Sequence, residues 1–163
     1  MTLRPGRARG RRLALLPGLA LAGSAHAACL VLASHPDGAT LARIAADRAP
    51  AGFTIAYVHS VTRTPVEERY RVDRGAIVET EIRFEQHGPG LPTEADAGGA
   101  WRREGARYVV TMERRFDAIP MRVHADQSPQ LRVTGDARAV DLAQWGNRAL
   151  ALTALPGTCG AGS

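Results

Sequence analysis

The sequence predicts an all-β domain, an antiparallel β-sandwich or partly open barrel of about 8–10 short strands. Three observations carry that expectation. Short runs rich in Val, Ile, Thr, Tyr and Phe recur at near-regular spacing. Several of them alternate apolar and charged residues, the period of a strand with one face on a core and one in water. Beyond the first 27 residues, no stretch of about three turns carries apolar residues at helical spacing.

The elements follow in order. CLVLAS, residues 29–34, is a short apolar run. ATLARIAADR, residues 39–48, suits a helix by propensity and a strand by its position between strands. FTIAYVHSV, residues 53–61, alternates with Phe53, Ile55, Tyr57, His59 and Val61 on one face. In the next run Val66, Glu68, Tyr70 and Val72 share a face, and Glu67, Arg69, Arg71 and Asp73 share the other. Asp73-Arg74-Gly75 then marks a tight hairpin turn. In the run that follows, Val78, Thr80, Ile82 and Phe84 oppose Glu79, Glu81, Arg83 and Glu85. Gly88 to Trp101 is the longest irregular segment. Further strands are expected at 107–114, 119–125, 130–135, 139–143 and 148–155.

The chain opens with Arg4, Arg7, Arg9, Arg11 and Arg12, then the apolar run from Leu13 to Gly23, then Ala25-His26-Ala27. That order is a secretory signal, giving an export leader over 1–27 and a single β-domain over 28–163 whose tail, 156–163, carries Cys159. The apolar run is too short for a membrane span, which needs about 20 residues. An uncleaved anchor and lipid attachment at Cys29 are the rival readings. His26 stands where a lipidation signal places a leucine-like residue. The expected location is therefore periplasmic or secreted, and the arginine-for-lysine bias fits a bacterial genome rich in GC.

All 21 cationic residues are arginine, five of them in the leader, and the 16 that remain meet 16 acidic residues. A domain without net charge lacks the cationic excess that phosphate backbones require, so nucleic acid is not an expected partner. Cys29 and Cys159 are the two cysteines, and in an exported chain an even count reads as a disulfide. It would join the first and last strands. Its 130-residue separation is worth roughly 4–5 kcal/mol in the chain-entropy picture, and often less in practice.

His59 and Glu68 form the sharpest chemical feature. With the loop centred near Arg63-Thr64, His59 faces Glu68 and Tyr57 faces Tyr70 across a hairpin, and a one-residue slip would separate the pair. Imidazole and carboxylate then favour each other's charge. The pair reads either as a structural ion pair closing one end of the core or as a ligand-binding or acid–base site. Ser60 points to the opposite face from His59, and no nucleophile elbow accompanies it, so covalent catalysis is not expected. Gly88-Pro89-Gly90-Leu91-Pro92 sets an unusual backbone course, either a rigid turn or a loop whose amides receive an anion. His87 and His124 lack metal-ligand spacing relative to His59 and Glu68, and neither metal nor cofactor is expected.

At these residues the chain resembles a bacterial family known as domain of unknown function 1850. The shared pattern is His59-Ser60-Val61, then Pro65-Val66 with Glu68, the aromatic Tyr70, a hairpin, and Gly88-x-Gly90-Leu91-Pro92 with Pro89 at the variable position. The similarity runs from about Cys29 to Leu155. The resemblance implies a small exported protein encoded beside tripartite TRAP importers of the TAXI type, with an accessory role in uptake. The expectation is a monomeric, non-enzymatic domain that binds a small anionic solute or contacts an importer subunit. His59, Ser60, Glu68, Gly88, Gly90, Leu91 and Pro92 form its contact site. An enzyme using the His59–Glu68 pair and a purely structural assembly factor are the alternatives.

Overall fold

A computed structural model describes residues 27–48 and 50–160; the expected leader falls almost wholly outside them. The described strands are β1 (Ala28–Ser34), β2 (Thr40–Ala46), β3 (Gly52–Val58), β4 (Pro65–Asp73), β5 (Ala76–Phe84) and β6 (Ala100–Glu104). They continue with β7 (Arg107–Phe116), β8 (Ala118–Arg122), β9 (Gln130–Val133), β10 (Val140–Asp141) and β11 (Ala149–Pro156). They form two antiparallel sheets, one of four strands ordered β2-β1-β11-β8 and one of seven ordered β10-β9-β3-β4-β5-β7-β6. The sheets do not close on each other, so the architecture is a sandwich.

Alternation explains the layers. Leu30, Leu32, Leu150 and Leu152 of the small sheet are fully buried against Phe53, Ile55, Ile77 and Leu131 of the large one. A second cluster, Val66, Ile82, Phe84, Leu91, Val110 and Met112, fills the other end of the large sheet. The opposite face of β4, β5 and β6 carries a ladder of ion pairs: Arg69 to Glu81 at 3.2 Å, Arg83 to Glu81 at 2.6 Å, and Arg102 to Glu81 at 2.9 Å. Such partly exposed pairs contribute little each, about 0–1 kcal/mol, and act mainly to keep that face in water.

Residues 40–46 are a strand, although several favour helix, because pairing with β1 buries Ala46 and satisfies the backbone. Strand β6 lies at the end of the segment expected to be irregular. Its sequence, AWRRE, has its two apolar side chains adjacent and then three charged ones, so no alternation announces it. The strand is held by pairing with β7 and by Trp101 packing on Phe84 and Tyr108. In the β4–β5 turn Arg74 and Gly75 both take positive φ, 51° and 85°, as a two-residue hairpin turn requires.

Cys29 and Cys159 are disulfide-bonded, with Cα atoms 4.8 Å apart. The bond staples the residues just after β11 to β1, which already pair antiparallel. A disulfide fits an extracellular or periplasmic protein. Among the described residues no helix is long and apolar enough to cross a membrane.

The β3–β4 hairpin departs from the expected register. Ile55 pairs with Glu68, Phe53 with Tyr70 and Tyr57 with Val66. The strand stops at Val58, three residues short of the expected end at Val61. His59 is the reason. Its Nδ1 accepts the amides of Val61 and Thr62, both at 3.2 Å, while its backbone carbonyl accepts from Arg63 at 2.9 Å. These bonds turn the chain at once and leave Val61 exposed at 66%. Moving the loop centre by two residues displaces each partner by four, an even number. The faces therefore survive the correction while the His59–Glu68 contact does not.

Candidate functional site

Glu68 reaches its position from the middle of β4, on the inward face with Val66 and Tyr70. Its Oε1 accepts a 2.9 Å bond from the Tyr57 hydroxyl, and its Oε2 accepts a 2.7 Å bond from the Tyr70 hydroxyl. Tyr57 comes from β3 and Tyr70 lies two residues along β4, so period two alone puts all three on one face. Tyr70 is fixed further by stacking on Phe53, with ring centroids 4.9 Å apart. Burial, then the adjacent Glu68 charge and its hydrogen bond, push both phenols far above their ordinary pKa.

Glu79 is the residue that alternation misplaces. Simple period two sends it outward with Glu81 and Arg83. The β4–β5 pairing slips between Arg69 and Tyr70, and the β5–β7 pairing slips between Glu79 and Glu81. This bulge leaves Thr80 as the extra residue and turns Glu79 inward beside Ile77 and Ile82. Glu79 is only 6% exposed. Its carboxyl is pushed up to about 7, first by burial and then by the Glu68 charge, while Arg114 pulls the other way. The Arg114 Nη1 stands 4.0 Å away, beyond hydrogen-bond range. Its guanidinium is committed to Asp96, with bonds of 2.5 and 2.8 Å. That hydrogen-bonded pairing holds the Asp96 carboxyl below its usual range and the Arg114 guanidinium above its own.

These groups form the floor of a cleft of about 340 Å³ between the sheets. Ile55, Tyr57, Glu68, Tyr70, Glu79 and Ile82 belong to the large sheet, while Ile119, Met121 and Arg122 of β8 close the other side. Gly90 and Pro92 contribute a rim. The volume suits a small organic molecule, and the mixture of apolar walls with a few convergent polar groups is the usual make-up of a ligand pocket.

The residues singled out in the sequence divide into two places. Glu68, Gly90 and Pro92 line the cleft. His59 does not line it: 6% exposed, it donates from Nε2 to the Pro89 carbonyl at 3.1 Å and accepts at Nδ1. It thereby clamps the hairpin loop to the Gly88–Pro92 loop. A Cβ on Gly88 would lie 2.7 Å from His59 Cε1, so the glycine is required by the closeness of the ring. Leu91 is buried in the second core cluster, and its amide donates to the Gly88 carbonyl at 3.1 Å. Ser60 is an exposed turn residue. His87 stacks parallel on Trp101 at 5.6 Å, away from His59 and Glu68 in a separate aromatic group with Phe84 and Tyr108. Among the described residues no three His, Cys, Asp or Glu side chains are gathered as a metal would need.

The cleft thus owes Glu79, Arg114 and Arg122 to features the sequence hides. Tyr57 and Tyr70 were visible as aromatic neighbours of Glu68 on one face, but as partners of its two oxygens they needed the true register.

No curated protein and no solved structure matches this chain. Residues 53–140 match one family model, a stretch that holds Glu68, Glu79, both tyrosines, Arg114, Arg122 and the Gly88–Pro92 loop. That match spans more than half of the 163 residues, and the chain belongs to the family described as Domain of unknown function (DUF1850).

Proposed function

We propose that this domain is an exported solute-binding accessory of a tripartite TRAP-type importer, receiving a small molecule in the cleft between its sheets. One observation carries the reading: a cleft of about 340 Å³ whose floor holds a carboxylate braced by two tyrosines and a second, nearly buried carboxyl. Structural ion pairs are normally closed by their own partners. Here the polar floor instead opens toward space that a ligand can fill. The disulfide supports export, and family resemblance supports the link to uptake.

In this reading Glu68 is a fixed acceptor, the tyrosines set its orientation, and Gly90 and Pro92 shape the entrance. His59 acts at one remove, by holding the loop that carries them. The test is uptake of the importer's substrate in cells carrying Glu68→Gln, at unchanged levels of folded protein. Loss of uptake supports the reading, and full uptake removes it.

A second reading, acid–base catalysis, is favoured by Glu79 alone, since a carboxyl near 7 holds or releases a proton at neutral pH. It would employ Glu68 and Glu79 in place of His59 and Glu68. Turnover of any solute by the purified domain, lost in Glu79→Gln, would favour it over binding.

A further inference from the structure

Resting on the solute-binding reading, we propose that the cleft selects a small molecule headed by an amine, with its ammonium group seated at Glu79 and its hydrocarbon body along Ile82, Phe116, Ile119 and Met121. The hydrogen-bond inventory of the floor leads there. Each Glu68 oxygen already accepts one tyrosine hydroxyl. Glu79, 6% exposed, accepts no hydrogen bond from a described side chain, and its nearest cation stands 4.0 Å off and is engaged by Asp96. No fully buried side-chain oxygen among the described residues lacks a partner, so the Glu79 oxygens open to the cleft, where a ligand that brings a donor and a positive charge satisfies them better than water.

The alternatives fit less well. A free anion on the floor would meet Glu68 and Glu79, both acidic, at short range. Of the loop amides expected to receive an anion, that of Leu91 is already bonded to the Gly88 carbonyl. A metal ion would find two carboxyls on the floor, and among the described residues no third His, Cys, Asp or Glu is gathered with them. An ammonium group supplies up to three donors and one positive charge, which answers both deficits at Glu79. Of the two arginines that line the cleft, Arg122 is exposed and Arg114 is bonded to Asp96, so neither gives Glu79 a hydrogen bond.

The experiment uses purified disulfide-bonded protein with ¹³C-labelled glutamate and three matched probes, n-butylammonium, n-butanol and n-butyrate, at pH 7.5. Butylammonium is expected to shift the Glu79 carboxyl signal saturably and to lower its titration midpoint by about one pH unit. E79Q, checked for a native spectrum, is expected to weaken butylammonium at least tenfold, and E79D to keep part of the affinity. Butanol or butyrate binding as well as the amine would overturn the amine selectivity and leave the cleft reading standing. No probe moving any cleft signal up to tens of millimolar would overturn both.

Discussion

Tyr70 Oη lies 2.7 Å from Glu68 Oε2, although the two residues are next-but-one neighbours on a single strand. The contact is a direct result of strand geometry, since side chains two apart stand on the same face. With Tyr57 on the paired strand it converts a half-buried glutamate from a liability into a fixed acceptor. Tyr70→Phe removes one donor and keeps the ring stacked on Phe53. The expected loss of stability is about 1–3 kcal/mol, the cost of an unmet hydrogen bond to a charged group, read from urea unfolding. Tyr57→Phe acts in the same direction, and unchanged stability in both would mean that neither hydroxyl bonds Glu68.

Stability depends on pH through Glu79. Its folded value of about 7 lies above the ordinary value of 4.5, so the folded state binds the extra proton between those limits. Stability is therefore greatest below about pH 4.5 as far as this group is concerned, and falls as pH rises through 7. The groups that face Glu79 are Glu68 and Tyr70 of β4, Tyr57 of β3, Arg114 of β7 with its partner Asp96, and Arg122 across the cleft. Water in the cleft screens part of the effect, leaving on the order of 2 kcal/mol across the window. Glu79→Gln is expected to flatten that slope in denaturation curves collected from pH 4.5 to 8. A slope equal to the parent's would place the titration elsewhere.

Gly88 and His59 are predicted to be energetically coupled. Gly88→Ala places a methyl 2.7 Å from His59 Cε1 and 3.0 Å from Thr62 Cγ2, and overpacking of this kind costs about 1–3 kcal/mol. His59→Ala also destabilises, because the Pro89 carbonyl and the Val61 and Thr62 amides lose their partner. The double variant is expected to lose at least 0.5 kcal/mol less than the two single losses combined, because the clash disappears with the ring. Strict additivity would deny the contact.

Cys159→Ser frees the residues beyond β11 from β1. The 130-residue separation predicts a loss of about 2–5 kcal/mol, with β1 and β11 the first elements to gain hydrogen exchange. Retention of full thermal stability in strong reductant would contradict it.

Much of this was legible in the residues. Alternation in 66–72 gave Glu68 and Tyr70 their shared face, and the ion-pair ladder occupies the charged face that Glu67, Arg69, Glu81 and Arg83 announce. The two cysteines paired as their count suggests. The register was not legible, because a histidine side chain that caps its own loop ends a strand whose composition continues as strand to Val61. Glu79 was hidden for a similar reason. A bulge is a single extra residue, and nothing in Val78-Glu79-Thr80-Glu81 distinguishes it from unbroken alternation. Both failures are local backbone events, and both fall beside the cleft.

The central feature of the cleft is the Glu79 carboxyl, which lines it without a hydrogen bond from a described side chain. Its most direct test is the titration of the Glu79 side-chain carbon by ¹³C NMR in the unliganded protein. A midpoint of about 7 is predicted. A midpoint near 4.5, the ordinary value, would show Glu79 in water or already paired, and the floor proposed for the ligand would not exist.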